Sequence, residues 1–163
     1  MSTKSVQTAP FNELLRELHG AVIDIVGVMN QPQRDHALLH EAGVALDRAL
    51  FPLLVLVERL GPIGVVELAD HAGRDYTTVS RQVGKLESLG LARRRENAAD
   101  RRVRQVAVTA AGKKMTARID AARERLGSAI FETWNRQDLQ SLARLLRRFA
   151  DAIKAAPADE ARQ

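Results

Sequence analysis

The segment Tyr76–Leu89 holds residues whose types and spacing point to a chemistry. Projected at the ~100° step of an α-helix, Val79, Val83 and Leu86 fall on one side. Thr77, Arg81, Gly84 and Ser88 fall opposite them, with Thr78, Ser80 and Lys85 on the flanks. The outer face is therefore small, hydroxylated and basic, with no acid at its central positions. Small polar side chains let a helix lie deep in a nucleic-acid major groove of ~12 Å width, where an arginine can meet both acceptors of a guanine. Arg81 is the candidate for that contact. Thr77, Thr78 and Ser80, near the helix start, are within reach of bases or phosphates. Tyr76, Gln82 and Lys85 on the same helix complete the set. Taken alone, an ordinary exposed helix fits the same pattern.

A second group follows in Asp100, Arg101 and Arg102, near the tip of a loop between two short apolar-basic runs. An arginine on a thin β-hairpin can enter a minor groove, where the negative potential favours it. Asp100 is acidic in the most basic part of the chain, and a carboxylate facing a polyanion must be paired; bracing a neighbouring arginine is its expected role. The charge count agrees. From Arg74 to Arg104 nine Lys/Arg stand against four acids, and elsewhere sixteen basic residues balance sixteen acidic ones. The chain's whole +5 excess thus lies in one stretch, the footprint of a polyanion partner or, read blandly, a solvated charged face.

These residues need elements to hold them. Val65–Ala72 reads as a short helix with Val66, Leu68 and Ala69 inward, closed by Gly73, and Asp75 fits the N-cap of the next helix. Leu91–Arg95 and Arg104–Val108 read as antiparallel strands joined by the polar loop Glu96–Arg102. Two helices joined by a tight turn and followed by a basic hairpin form a winged helix-turn-helix. Upstream, Phe11–Met29 carries a broad apolar face, Asp35–Gly43 is a short helical turn, and Leu46–Leu60 is strongly apolar. Pro52 predicts a new helix start near Asp47–Pro52 or a kink. Downstream, Thr109 caps a helix running from Ala110 to about Trp134. In Asp138–Ala155, Leu139, Leu142, Leu146, Phe149 and Ile153 recur at the spacing of a helix–helix seam.

Composition narrows the classes. Aromatic residues are 4% of the chain, so Leu, Val, Ile and Ala must fill the core. There is no cysteine, which excludes disulfides, thiolate metal sites and thiol redox switches. No apolar run reaches the ~18 residues of a membrane span and Met1–Pro10 carries no signal core, so a soluble, cytoplasmic protein is expected. No His-Glu-x-x-His, Gly-x-Ser-x-Gly or glycine-rich phosphate loop occurs; the expectation is a non-enzyme without a cofactor. A winged-helix module that holds protein rather than DNA is the alternative.

The stretch Glu67–Gly112 resembles the MarR family of bacterial regulators. That family has a Thr/Ser-rich recognition helix ending in Leu-Glu-x-x-Gly-Leu, a wing with Asp-x-Arg, and Leu-Thr-x-x-Gly opening the next helix. Here these read Leu86-Glu87-Ser88-Leu89-Gly90-Leu91, Asp100-Arg101-Arg102 and Val108-Thr109-Ala110-Ala111-Gly112, with valine for the usual first leucine of the last motif. The resemblance implies a mainly α fold, a winged helix-turn-helix with a small β-hairpin wing, flanked by N- and C-terminal dimerisation helices. Residues 11–155 form one domain, with 46–109 as the winged unit, 11–45 and 110–155 as dimerisation helices, and 1–10 and 156–163 as disordered tails. It implies a homodimer joined through Phe11, Leu14, Leu18, Leu142, Leu146, Phe149 and Ile153. Double-stranded DNA is the partner, read as a pseudo-palindrome, with Arg102 in the minor groove and Asp100 as its brace. It further implies a repressor released by a small aromatic or phenolic anion, for which Arg16, His19 and His40 are candidate anchors. His36 and His40 stand four apart, as on a metal-binding helix face, but two histidines make an incomplete ligand set, and no metal is expected.

Overall fold

The computed structural model describes residues 4–96 and 104–156. Seven helices and three short strands follow in the order α1 (Lys4–Met29), α2 (Pro32–Glu41), α3 (Phe51–Leu60), β1 (Ile63–Gly64), α4 (Val65–Ala72), α5 (Tyr76–Ser88), β2 (Ala92–Glu96), β3 (Arg104–Val108), α6 (Ala110–Ile130) and α7 (Arg136–Ala155). Two compact units divide the chain, residues 1–122 and residues 123–163.

In the first unit α1 begins at Lys4, so Lys4–Pro10, expected as part of a frayed tail, is helical. Lysine, glutamine and alanine are good helix formers, and Pro10 forfeits one backbone bond without ending the helix. The difficulty at Pro52 is resolved by a new start. Asp47 turns the chain, its side chain accepting from Ala49 N at 2.8 Å, and α3 opens with Pro52 in its first turn, where the N–H that proline lacks would have had no helical partner anyway.

The main core joins α3, α4, α5 and the sheet. Leu53, Leu54, Val57, Leu68, Val79, Val83, Leu86 and Val106 are sealed from solvent, each worth roughly 1.5–3 kcal/mol on burial. Val66 departs from expectation. The buried stripe of α4 runs through Val65, Leu68, Ala69 and Ala72 at i, i+3, i+4, i+7, which turns Val66 outward at 63% exposure. The sheet order is β1-β3-β2, all antiparallel, with Ile63 opposite Val106 on one side of β3 and Arg94 opposite Val106 on the other. The sequence reading missed β1, since two residues between Pro62 and a helix start cannot display alternation.

A second core in the same unit collects Leu39, Ala42, Val44, Phe51, Ile119 and Ala122. Arg118 on α6 staples it, donating through Nε to Ala42 O at 3.1 Å and through a guanidinium nitrogen to Gly43 O. These carbonyls lie just past the end of α2, where helical partners run out.

The second unit contains the end of α6 and the whole of α7. Helix α6 stops at Ile130 rather than near Trp134. Phe131 and Trp134 then pack edge to face at 5.4 Å in the turn. Asn135 caps α7, accepting from Asp138 N at 2.8 Å. None of the described residues of α7 is buried, and Leu139, Leu145, Leu146 and Ile153 are exposed.

Candidate nucleic-acid interface

Helix α5 is set by the turn before it. Gly73 closes α4 in the left-handed conformation, its N–H bonding back to Asp70 O. Asp75 then caps α5, accepting from Thr78 N at 2.8 Å. Hydrogen bonds from the Thr78 hydroxyl and then its amide hold the Asp75 carboxyl below its ordinary value of 3.8. Thr78 is half-buried and serves this cap. Arg74 bridges the turn, donating to Ala49 O at 3.1 Å and to Gln82 Oε1 at 3.0 Å. One of the nine cations of the basic stretch is therefore used inside the protein, and it orients Gln82.

With Val79, Val83 and Leu86 fully buried, the opposite face of α5 is open. Tyr76, Thr77, Arg81 and Lys85 are exposed, and Ser80 and Gln82 are half-buried beside them. Nothing lies within van der Waals reach of a side chain built at Gly84.

The end of α5 explains the motif residues. Gly90 turns the chain at φ +71° after the helix, a conformation that costs glycine nothing. Thr109 accepts from Gly112 N at 3.0 Å, capping α6, and donates its hydroxyl to Gly90 O at 2.7 Å. Gly112 is required by contact: an added Cβ would lie 2.1 Å from Leu91 O. Threonine and glycine thus fasten the start of α6 to the turn that follows α5.

Strand β2 separates the arginine run. Arg93 and Arg95 are exposed, while Arg94 lies on the face shared with buried Ala92 and is half-buried. Arg94 and Glu87 form an ion pair at 2.5 Å. Sequence counting missed this, although strand alternation offered the signal, since it sends Arg94 to the side opposite its neighbours. Between α4, α5 and the hairpin lies an open cleft of about 670 Å³, lined in part by Val66, Tyr76, Ser80, Arg94 and Arg104. Asp100, Arg101 and Arg102 lie outside the described residues.

A short apolar helix, a capped turn, an open polar helix and a basic hairpin make a winged helix-turn-helix, and the comparisons agree. The MarR family profile matches residues 46–103. An uncharacterized HTH-type transcriptional regulator of Bacillus subtilis, YxaD, is 30% identical over 108 residues, 66% of this chain and 76% of the relative. The chain belongs to the MarR family. It is a DNA-binding transcriptional regulator, in a family of non-enzymatic proteins. Two solved structures share the fold. A MarR transcriptional regulator from Methanosarcina mazei matches with TM-score 0.65 at 24% identity, covering 86% of this chain and 99% of its own. A MarR family protein from Bacillus stearothermophilus matches with TM-score 0.64 at 19% identity, covering 94% and 99%.

In this MarR-family chain the remaining expected residues are distributed as follows. Phe11, Leu14 and Leu18 are exposed on α1, the first two at 59% and 63%. On α7, Leu146 and Ile153 are exposed, and Leu142 and Phe149 half-buried. Arg16 and His19 on α1 and His36 and His40 on α2 are all exposed. Among the described residues, no group of three histidines or carboxylates is placed to hold a metal ion, and no helix is long and apolar enough to cross a membrane.

Proposed function

We propose that this MarR-family regulator is a homodimeric, sequence-specific repressor that a small aromatic or phenolic anion releases from a pseudo-palindromic operator. The observation that carries the reading is the division of α5. Its apolar line is wholly buried, while Thr77, Arg81 and Lys85 stand exposed. Arg81 takes the guanine contact, with Tyr76, Thr77, Thr78, Ser80, Gln82 and Lys85 around it. Thr78 and Gln82 contribute more to holding the helix than to touching bases, given their bonds to Asp75 and Arg74. On the wing, Arg101 and Arg102 meet the DNA, Arg102 in the minor groove with Asp100 as its brace.

Dimerisation is supported by the exposed apolar residues of α1 and α7, which water disfavours. Residues 46–109 then act as the reading unit, and 11–45 with 110–155 as the joining helices. Two copies present two recognition helices to half-sites ~34 Å apart. Arg16, His19 and His40 supply cationic or hydrogen-bonding groups for an anionic effector. The place of action is the cytoplasm, where the DNA is.

The test is a fluorescence anisotropy titration of the purified protein with the duplex upstream of its own gene, run over a range of salt. Binding as one dimer, weakening steeply with salt and reversed by benzoate or 4-hydroxybenzoate, is the expected result. Arg102→Ala is expected to lower the salt slope by about one. Binding that benzoates never reverse would remove the effector half of the proposal, and absence of binding would leave a protein-holding module.

A further inference from the structure

The pair formed by Glu87 and Arg94 stands apart from the other charges of the basic stretch. Arg94 makes three bonds to α5. Its backbone N–H donates to Glu87 Oε1 at 2.7 Å, one guanidinium nitrogen donates to Glu87 Oε2 at 2.5 Å, and the other donates to Ser80 O at 3.2 Å. Ser80 and Glu87 are seven residues apart and so share one face of the helix. Strand β2 is an edge of the sheet, and an edge leaves N–H groups unpaired. Glu87 satisfies one of them. Both side chains are about a quarter exposed, shielded enough for geometry to hold yet close to the face that meets DNA.

We propose that Glu87 and Arg94 form a strut that fixes the wing against the recognition helix. Arg94 is then a positioning residue and not a DNA contact, in spite of its place in the arginine run. The strut keeps the distance between major-groove and wing contacts constant, so that both engage one half-site together. The planar fork of arginine is needed because two nitrogens serve two acceptors; a lysine carries the charge but not the fork. Glu87 stands in a DNA-binding helix because it orients the wing, although its charge opposes phosphate.

The inference rests on the DNA-binding reading of α5 and the wing, and the test separates the two. Specific and non-specific duplexes are titrated over a salt series with wild type, Arg94→Met, Arg94→Lys and Glu87→Ala, alongside thermal unfolding. Each variant is expected to weaken specific binding about tenfold, the scale of a charge-assisted network. The slope of log affinity against log salt is expected to stay unchanged. Arg94→Lys keeps the charge and yet is expected to lose most of the affinity. Glu87→Ala removes a negative charge, which by electrostatics alone tightens binding, whereas the strut predicts weakening. A slope lower by about one in Arg94→Met, or tighter binding by Glu87→Ala, overturns the proposal. Hydrogen exchange gives a readout without DNA. The Arg94 amide is expected to be protected in wild type and to exchange faster in Glu87→Ala, and equal rates in the two overturn the strut. A wild type that discriminates no duplex counts against the regulator reading, and the exchange rates still decide the strut.

Discussion

Helices α5 and α7 are both amphipathic, but they differ in what meets the apolar side. Helix α5 buries Val79, Val83 and Leu86 completely against α3, α4 and the sheet of its own chain. In α7 no described residue is buried, although leucines and a phenylalanine recur along it at seam spacing. The comparison teaches that one periodic signal has two meanings. Where the chain satisfies the apolar face internally, the polar face is free to be the working surface. Where the chain leaves it exposed, the proposed homodimer would make that apolar face the joining surface.

Charge placed on the open face of α7 is the strongest way to break the comparison. Leu146→Glu is expected to cost the dimer about 3–5 kcal/mol, the scale of an uncompensated buried charge. Sedimentation at micromolar concentration would show monomer, while circular dichroism keeps its helical signal. Unchanged dimerisation would mean that α7 is not the joining surface. The corresponding change inside the winged unit strikes folding instead. Leu86→Ala is expected to lower unfolding free energy by about 3 kcal/mol, as large-to-small changes at sealed positions do. Denaturant titration checks it, and a loss confined to DNA binding with stability intact would contradict the assigned inner face.

On the outer face of α5 the effect moves to recognition. Arg81→Ala is expected to cost roughly 1–3 kcal/mol against the preferred site and to relax the choice at one base position, with little change in melting temperature. Binding to a panel of singly substituted duplexes reads both effects, and an equal loss against every duplex would assign Arg81 to a phosphate. The smallest effect belongs to the cap. Asp75→Ala removes the acceptor of Thr78 N–H and is expected to lower the melting temperature slightly at neutral pH. Because hydrogen bonds depress the folded-state pKa below 3.8, the ionised cap stabilises fully above that value. That stabilisation fades as pH falls through the lower folded value. The gap between variant and wild type should therefore narrow in acid, and a gap independent of pH would remove ionisation from the account.

Much of this was legible in the sequence because local signals and tertiary packing agreed. Gly73, Asp75 and Thr109 announced helix ends by backbone chemistry, and the structure places a cap or a helix stop at each. The line Val79, Val83, Leu86 was readable because helical spacing alone sets it. The failures came where contacts between distant residues decide. Strand β1 exists because Ile63 finds Val106, which no window of two residues reveals. Val66 is apolar yet outward because four neighbours on α4 already fill the buried stripe. Arg74 and Arg94 looked like members of one DNA-facing patch, but their partners are a carbonyl, Gln82, Glu87 and Ser80. Charge counting drew attention to one stretch and overstated how many of its cations are free, since Arg74 and Arg94 bond within the protein. The wing tip, Asp100–Arg102, rests on the family motif.

The most direct test of the central claim is selection of genomic DNA fragments by the purified protein, followed by footprinting of those enriched. The account predicts one recurring pseudo-palindrome, bound by a single dimer, with protected half-sites one helical turn apart. Enrichment of no common sequence, or protection of an isolated half-site by a monomer, would contradict it.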